Sequence, residues 1–544
     1  MRVKLVVASD RSRAGAPAPH RHKYLLPRMT CGGIFLVMNR REFIRLSAAA
    51  SAAGLCPPFN LSAFAETTPA ASVRLTLHAD RLGNKIGDEF TGLSYESAQL
   101  ANPQFFSGDN SELAEFVRQL GKSGVLRIGG NTSEFCYWTP NPVKKANAPD
   151  SGAVRAADKN NPLAYTLAVG PETGRKASAP VNITPVAIHN LREFLELSGW
   201  KLIYGLNMGT GTAEDAADEA VYVMNAVGEK LIAFQLCNDP DLFFQNGIRK
   251  ADYNFAQFAT EWQRFYQAIH ARVPKAAFAG PDTASGNQWL VSFAKQFKQD
   301  VAFLSRHYYA EGPPTDPAMT IERLLKPNPR LDAEFEGMKQ TMAESGLPFR
   351  LVEANSTYEG GKAGVSDTFA SALWSADLMY QLASAGGMGI NFHGGGYGWY
   401  TPIAGTREDG FLARPIYYGM LLFAQAGAGQ LVETTLEGVE QAPLLTAYGI
   451  RGDTGVMKVA AFNKNLDRSV RLLIDPGQNA RGASVLRLHA PRVDDTTDVT
   501  FGGSPVGAIG AWSAARVQKV NVENRIAVVE LPAASGALVT FDGV

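Results

Sequence analysis

Eight short apolar runs, each followed by a segment of helical periodicity, limit the fold of this 544-residue chain more than any other feature of its sequence. The runs are, in chain order, EFTGLSYES, GVLRIGGNTS, KLIYGLNMGTG, KLIAFQLCNDPD, AAFAGPDT, VAFLSRHYY, FRLVEANS and GMGINFHGGG. Near-continuous apolar strands are typical of a parallel sheet covered on both faces, and the helical segments have the i, i+3, i+4 spacing of covering helices. Eight such units between about residues 88 and 420 predict an α/β fold, a closed (β/α)8 TIM barrel.

Polar residues fall at the carboxyl ends of nearly all these runs. Because the carboxyl ends of the strands of a parallel barrel meet at one rim, and active sites of TIM barrels form there, we expect these side chains to surround one pocket. They are Asn131, Asn207, Asn238, Asp239, His307, Tyr309, Glu353, Asn355 and His393.

The pattern of the sequence changes after about residue 425, where short apolar runs at hairpin spacing replace the alternation of strands and helices. This pattern predicts a β-sandwich over residues 425–544. Residues 72–87 alternate in the same way ahead of the barrel, so we expect them to add N-terminal strands to that sandwich.

The front of the chain has the pattern of a sorting signal. Residues 38–65 begin MNRREF, with Arg40 and Arg41 paired, continue into an Ala-rich apolar stretch and end in a small-x-small cleavage pattern at 63–65. We interpret them as a twin-arginine signal peptide of bacterial type, which predicts a periplasmic or secreted protein. Residues 1–37 lack this pattern, and we interpret them as an over-called start.

The charge of the remaining chain excludes one class of partner. Ten of the 52 Lys and Arg and two of the 52 Asp and Glu lie in residues 1–65, which leaves 42 basic and 50 acidic residues beyond. A net charge near −8 argues against a nucleic-acid binder. No run of about 18 apolar residues follows residue 66, so no membrane span is expected.

The two cysteines beyond the signal, Cys136 and Cys237, give neither a disulfide framework nor metal-ligand spacing. They either pair with each other in an oxidising compartment or stay as two buried thiols. We expect no metal and no organic cofactor.

Two carboxylates at strand ends are candidates for catalysis. A glycosidase needs one carboxyl group that protonates the leaving oxygen and a second that attacks the anomeric carbon or activates water. Asp239 ends the fourth run and Glu353 the seventh. Simpler interpretations stay open: Asp239 in CNDPD could belong to an Asx-type turn or cap a helix, and Glu353 could pair with Arg127 or Arg350.

Several segments together resemble the heparanase and β-glucuronidase family, glycoside hydrolase family 79. The segments are LRIGGNTS, QLCNDPDLF, SRHYY, the long block from LVEANSTYEGG to NFHGGG, and LPAASGALVTF. The resemblance covers the chain from about residue 72 to its end. It implies a retaining β-glucuronidase, acting within or at the end of a glycan, built on a (β/α)8 barrel with a β-sandwich.

The resemblance also implies roles for individual residues. Glu353 matches the nucleophile, Asn238 the amide that contacts the sugar 2-hydroxyl, and Tyr309 the tyrosine that orients the nucleophile, with Tyr308 as its neighbouring alternative.

Three further positions resemble the group that holds the uronate carboxylate. They are Tyr358, Gly360 and Tyr400, the last with Tyr397 as an alternative. The partner expected from the resemblance is therefore a glucuronide or a uronic-acid-containing glycan. The acidic chain makes heparan sulfate itself a poor candidate, since a polysulfated glycan needs basic residues round the cleft.

The sequence departs from the family at two positions. Asp239 stands where the family has Glu, which draws the proton donor back by roughly 1 to 1.5 Å, and misplacement of that order can cost about a hundredfold in rate. Glu359 stands where the family often has Gly, and a second anion beside a uronate disfavours it unless the side chain points away. Two alternatives follow: a glycosidase of the same fold for a different sugar, or a catalytically impaired carbohydrate-binding protein.

The motif of the fourth run can then be divided. Asn238 is expected to contact the sugar, Asp239 to donate the proton, and Pro240 to end the strand. Asp241 is expected to cap the start of the next helix.

Overall fold

The computed structural model describes residues 71–141 and 180–542, together with the backbone of two short strands nearer the N-terminus. These are β1 (Met29–Cys31) and β2 (Ile34–Leu36), which pair antiparallel. The chain divides into two compact units, Met1–Thr67 and Thr68–Val544, and everything below concerns the second. The predicted signal peptide, residues 38–65, lies outside the described residues.

Eight parallel strands form a closed barrel, which confirms the fold predicted from the eight apolar runs. The barrel closes where the last strand pairs with the first, with Ile390 beside Thr91. The barrel strands are β4 Thr91–Glu96, β5 Val125–Gly129, β8 Lys201–Gly205, β9 Leu231–Gln235, β10 Phe278–Thr283, β11 Phe303–Glu311, β12 Phe349–Thr357 and β13 Gly389–Gly394. Two short pairs flank them: β6 Cys136–Trp138 with β7 Val181–Ile183, and β14 Ile403–Thr406 with β15 Gly410–Ala413.

Helices cover the outside of the barrel, and side chains at their first residues fix where they begin. Asn254 and Gln257 form a reciprocal capping box at the start of α4, while Thr184 and Thr212 cap α2 and α3. The helices are α1 Ser111–Gln119, α2 Pro185–Ser198, α3 Ala213–Val227, α4 Phe255–Arg272, α5 Gln288–Phe297, α6 Ile321–Leu325, α7 Pro329–Ser345, α8 Phe369–Ser384 and α9 Pro415–Ala426.

A second sheet of ten strands forms the β-rich domain, and an N-terminal strand lies within it as predicted. The strand β3 pairs with β16 on one side and β19 on the other, and a further pairing of β20 with β24 curls the sheet round on itself. Alternate residues of β3 are buried, as expected when one face packs on a core. The strands are β3 Ala71–Ile86, β16 Gly429–Glu437, β17 Leu445–Gly452, β18 Met457–Asn463, β19 Val470–Asp475, β20 Gly482–His489, β21 Thr500–Phe501, β22 Gln518–Glu523, β23 Ile526–Leu531 and β24 Ser535–Phe541.

The barrel and the second sheet share one hydrophobic core, with α8 between them. Tyr380 of α8 stacks on Tyr448 of β17 with ring centroids 4.9 Å apart. Asp377 on the same helix is buried against the Lys464 ammonium and accepts hydrogen bonds from Thr446 at 2.7 Å and Tyr448 at 2.8 Å. An aromatic stack and a buried ion pair therefore join α8 to the second sheet.

Candidate active site

The carboxyl ends of the barrel strands surround one cavity of about 440 Å³. Seven of the eight strands, or the loops that follow them, supply lining residues, because parallel strands bring their carboxyl ends to one rim. Its polar and ionisable lining residues are Glu96, Asn131, Asp239, Asn246, Ser285, His307, Tyr309, Glu311, Arg330, Glu353, Tyr358, Glu359, His393 and Tyr400.

The guanidinium of Arg127, on β5, lies beneath this cavity and is 1% exposed. It donates to Glu353 Oε2 at 2.5 Å and to Asp282 Oδ2 at 2.7 Å. It also donates to Asn238 Oδ1 at 2.8 Å and, through Nε, to Gln235 Oε1 at 3.0 Å. One cation therefore fixes side chains from three other parts of the barrel rim, and Arg127, which the sequence offered only as a partner of Glu353, is the centre of the site.

Glu353, on β12, is held as a carboxylate by its neighbours. Tyr309 donates its hydroxyl proton to Oε1 at 2.7 Å, Arg127 holds Oε2, and His393 Nδ1 lies 3.7 Å from Oε2. Burial raises the pKa of Glu353, but the positive charges of His393, His307 and Arg127 outweigh it and hold that pKa well below its usual range. An ionised carboxylate in a cavity is what a nucleophile requires.

Strand alternation decides which tyrosine reaches Glu353. The ladder between β11 and β12 shifts register at Arg306 and His307, and beyond this irregularity His307 and Tyr309 both point into the barrel. Tyr308 points outward, where its hydroxyl accepts a hydrogen bond from Asn328 at 3.3 Å. Tyr309 is therefore the tyrosine of the site.

Asp239 lies in the loop after β9, where its backbone is left-handed (φ 49°) and the residue is 7% exposed. Its N–H donates to the carbonyl of Asp282 at 2.9 Å, which ties the loop to the end of β10. Its Oδ1 lies 2.7 Å from His307 Nδ1. Burial raises the pKa of Asp239; His307 works against that shift, and the Glu353 and Asp282 charges add to it, so the pKa stays above its usual value.

Asp239 and Glu353, two of the carboxyl residues that line the cavity, therefore have pKa values displaced in opposite directions. The pKa of Asp239 is raised and that of Glu353 is lowered. A pair of titratable groups separated in this way can serve as proton donor and nucleophile at one pH.

Asn238 is fixed at both its backbone and its side chain. Its N–H donates to Glu134 Oε1 at 2.6 Å, and Glu134 also accepts the N–H of Gly209 at 2.5 Å. Its amide oxygen faces Arg127, and its amide nitrogen lies 3.3 Å from Asn131 Oδ1. Burial raises the pKa of Glu134 to about 8 despite these two N–H donors.

Sequence reasoning missed four carboxyl groups of this site, one of which is Glu311 in the cavity lining. Asp282 is 1% exposed beside Arg127, Glu96 lines the cavity and accepts hydrogen bonds from Thr132, and Glu134 anchors Asn238. Asp282 and Glu96 end their apolar runs, so the same rule that selected Asp239 and Glu353 would have found them. Glu134 lies beyond its strand and had no such signal.

The structure corrects the interpretation of Asp241. The residue at the start of the short 3-10 turn Pro240–Leu242 is Asp239, and Asp241 caps no helix. Asp241 instead accepts the N–H of Ala284 at 2.8 Å and of Ser285 at 3.4 Å, which links two neighbouring loops of the rim.

Aromatic side chains form one wall of the cavity. Tyr309 lies between Tyr358, at a ring distance of 6.4 Å, and Tyr400, at 6.1 Å. Tyr358 is 38% exposed and Tyr400 is buried, and the carbonyl of Gly360 accepts the N–H of Tyr400 at 3.3 Å. Tyr397 donates instead to Asp409 at 2.6 Å and is not among the lining residues.

The outer part of the cavity carries charges of both signs. Glu359, with a left-handed backbone at φ 61°, lines it together with Glu311. Arg330 lines it too and is fixed by donating to the carbonyl of Ala310 at 2.9 Å and to Glu334 at 3.2 Å. Glu359 and Arg330 therefore both belong to the cavity wall.

Among the described residues, no group of three or more His, Cys, Asp or Glu side chains is arranged to hold a metal ion. Cys136 and Cys237 are both buried and both free thiols. Within residues 71–141 and 180–542, no helix is long and apolar enough to cross a membrane.

One part of the chain matches the model of a known family. Residues 186–380 match the model of the N-terminal domain of glycosyl hydrolase family 79. A beta-glucuronidase of Aspergillus niger is 24% identical over 368 residues, which are 62% of this chain and 63% of that protein. A beta-glucuronidase of Neurospora crassa is 22% identical over 446 residues, 72% of this chain and 75% of that protein.

The fold is also found among solved structures. The crystal structure of a 4-O-alpha-L-rhamnosyl-beta-D-glucuronidase from Fusarium oxysporum superposes with a TM-score of 0.65 at 17% identity, covering 86% of this chain and 100% of that one. At this identity the likeness shows the fold alone.

Replacing Arg127 tests its central place. Arg127→Met leaves two buried carboxylates without their cation, and we expect the free energy of unfolding at pH 7 to fall by about 3–5 kcal/mol. The lowered pKa of Glu353 contributes stability above its unfolded pKa of about 4.3, and this contribution is lost as pH falls. The deficit should therefore shrink below about pH 4, as urea unfolding at several pH values would measure.

Arg323→Met is the matched control for that experiment. Arg323 pairs with Glu311 but its side chain is 45% exposed, so its removal should cost less than about 1 kcal/mol. Equal losses for the two variants at pH 7 would contradict the central place of Arg127.

Proposed function

Because the chain belongs to glycoside hydrolase family 79, we propose that this glycoside hydrolase is a retaining β-glucuronidase with Glu353 as nucleophile and Asp239 as acid/base. The observation that carries the proposal is that two carboxyl groups with opposite surroundings line one cavity: Glu353 is held by Arg127 and Tyr309, and Asp239 is buried beside His307. These surroundings displace the two pKa values in opposite directions. Two carboxyl groups suffice for double displacement, so the proposal needs no metal or cofactor.

In the first step, the carboxyl proton of Asp239 passes to the glycosidic oxygen as the bond from that oxygen to the anomeric carbon breaks. A carboxylate oxygen of Glu353 forms the new bond to the anomeric carbon from the opposite face. Tyr309 and Arg127 hold Glu353 in place for this attack, at 2.7 and 2.5 Å. Such positioning removes orientational freedom before the reaction rather than during it.

In the second step, Asp239, now a carboxylate, accepts a proton from water. The water oxygen bonds to the anomeric carbon and releases Glu353, so that two inversions give net retention. We expect Asn238 to donate an amide hydrogen to the sugar 2-hydroxyl, because its oxygen already accepts from Arg127 and its other amide hydrogen faces Asn131.

We assign the uronate carboxylate to the aromatic wall. The phenol of Tyr358, which is partly exposed in the cavity, supplies a donor, and Tyr400 closes the wall behind it. The resemblance implies a second donor in the N–H of Gly360, which is buried next to Tyr400. Arg330 is a cation in the same lining and favours an anionic sugar.

Glu359 favours a second candidate, a glycosidase of the same fold for another sugar. Glu359 lines the cavity, and an anionic side chain there opposes a uronate. The specific substrate is therefore a separate question from the reaction, and the two are tested separately.

Azide rescue tests the catalytic assignments. Glu353→Ala should lower kcat for a dinitrophenyl β-glycoside by at least about 10⁴-fold, and added azide should restore release with an α-glycosyl azide as product, since one displacement inverts. Asp239→Ala should retain the first step with this activated leaving group and yield the β-glycosyl azide. Product stereochemistry by NMR measures both.

If Glu353→Ala gave the β-glycosyl azide and Asp239→Ala the α-glycosyl azide, Asp239 would be the nucleophile and Glu353 the acid/base. Absence of any release by the wild-type protein, together with measurable sugar binding, would support a catalytically impaired carbohydrate-binding protein.

Aryl glycosides with one leaving group test the sugar. We expect an aryl β-glucuronide to exceed the β-glucoside and β-galactoside in kcat/KM. Tyr358→Phe should lower kcat/KM by roughly tenfold for the glucuronide alone, the cost of one hydrogen bond to a charged group. Tyr397→Phe is the control, because that phenol bonds Asp409.

A faster glucoside or galactoside would support the second candidate, as would an unchanged sugar preference in Tyr358→Phe.

We also propose that residues 38–65 direct export, so that the enzyme acts in the periplasm or outside the cell. The paired Arg40 and Arg41 ahead of an apolar stretch support this. Replacing both arginines by lysine should leave the protein uncleaved in the cytoplasm, as cell fractionation and the mass of the mature chain would show. Unchanged processing of that variant would contradict twin-arginine export.

A further inference from the structure

His307 occupies a position between two carboxyl groups of the site. It is 1% exposed, with Nδ1 2.7 Å from Asp239 Oδ1. Its other ring nitrogen, Nε2, lies 3.3 Å from Asp282 Oδ1 and 3.4 Å from Arg127 Nη2. Both ring nitrogens therefore face groups of the catalytic network.

The short contact between His307 and Asp239 requires a proton. Neither His307 Nδ1 nor Asp239 Oδ1 has any aligned hydrogen-bond partner, and both atoms are buried. A bare ring nitrogen 2.7 Å from a bare carboxylate oxygen would place two lone pairs against each other. At least one proton must therefore be shared by this pair in the resting enzyme.

Nε2 of His307 can be satisfied in either charge state. With the shared proton on His307 the ring is an imidazolium, and with that proton on Asp239 the neutral ring keeps its remaining hydrogen on Nε2, so in both states Nε2 donates to Asp282 at 3.3 Å. Moving the shared proton between His307 and Asp239 therefore leaves the partner of Nε2 unchanged and leaves no buried group unpaired.

Alternating charges connect this pair to the nucleophile. Successive side-chain contacts run from Glu353 to Arg127, Asp282, His307 and Asp239, at distances of 2.5, 2.7, 3.3 and 2.7 Å. Burial lowers the pKa of His307, but Glu353, Asp239 and Asp282 outweigh it and raise that pKa well above its usual value.

The charged groups that face His307 come from several strand ends. Asp239 and Asp241 follow β9, Asp282 ends β10, Arg127 lies on β5 and Glu353 on β12. Four of the five are acidic, so the imidazole is surrounded by groups that favour its protonation.

We propose that His307 is a positioning residue that shares the catalytic proton with Asp239 and so offsets the shortened acid. This inference rests on the proposed function, because it assigns Asp239 the role of acid/base. The 2.7 Å contact also leaves no room beside Asp239 for the methylene that a glutamate would add toward His307.

The proton count balances through the cycle. The pair carries one proton at rest, which Asp239 delivers to the departing oxygen as Glu353 becomes an ester and loses its negative charge. Loss of that charge weakens the hold of both Asp239 and His307 on a proton, since Glu353 favours protonation of both. Hydrolysis restores the Glu353 charge, and the pair regains one proton from the attacking water.

His307→Gln tests the proposal through the pH dependence of kcat/KM. Two sites that share one proton hold it more tightly than either alone, so removing the imidazole should move the alkaline limb to lower pH by about one pH unit or more. At a fixed pH above the limb, kcat/KM for a nitrophenyl β-glucuronide should fall about tenfold for each pH unit by which the limb moves. A dinitrophenyl substrate, which needs little acid assistance, should change less than about threefold at the same pH.

Two further variants sharpen the experiment. Asp282→Asn removes the negative charge beside Nε2 and should move the limb in the same direction. His393→Gln is the matched control, because His393 faces Glu353 and Glu96 rather than Asp239, so it should lower all rates together without moving the limb. An unmoved limb in His307→Gln, or a limb moved to higher pH, would overturn the proposal.

A second measurement does not depend on turnover. In protein labelled with ¹⁵N-histidine, the His307 ring signals, identified by their loss in His307→Gln, should titrate above the ordinary range of histidine. Asp239→Asn should lower the midpoint of that titration by about one pH unit or more. An inactive wild type with this titration would reject the proposed substrate but not the shared proton, whereas an unchanged His307 titration in Asp239→Asn would reject the shared proton alone.

Discussion

The contacts of one buried cation, Arg127, are the constraint on which the rest of the site depends. Its partners come from parts of the chain 111, 155 and 226 residues away, and the barrel alone brings them within hydrogen-bonding distance. A guanidinium at this depth is stable because two carboxylates and two amide oxygens surround it. In return it keeps Glu353 ionised and oriented and fixes the amide of Asn238.

The same arrangement explains how two carboxyl groups of one cavity differ in their chemistry. Hydrogen bonds and nearby positive charges lower the pKa of Glu353, whereas burial and two neighbouring anions raise the pKa of Asp239. His307 lies between the two effects, since it opposes the raised pKa of Asp239 while sharing its proton. We infer that the surrounding structure is adapted to the length of the Asp239 side chain, so an aspartate at this position does not by itself indicate an inactive protein.

Substrate choice depends on a different layer of the structure. The catalytic groups lie deep in the barrel, whereas Tyr358, Glu359 and Arg330 lie toward the outside of the cavity. The reaction itself does not require charges of both signs in that layer. Which sugar binds therefore depends on residues other than those that carry out the reaction.

The sequence by itself determined the eight strands, their order and the rim at which their polar ends meet. These follow from local apolar runs and helical periodicity, which a linear pattern contains. It also selected Asp239 and Glu353 from their positions at strand ends, and the departure of Asp239 from its family.

Only the tertiary structure decided which groups those carboxylates touch. Strand alternation beyond a register shift points Tyr309, and not Tyr308, into the site. The course of two loops links Asp241 to Ala284 and Ser285. Asp282 belongs to the site because it contacts Arg127. Charge and hydrogen bonding act across space between residues far apart in sequence, so the environment that separates an acid from a nucleophile is absent from the linear pattern. It exists only once the barrel has closed.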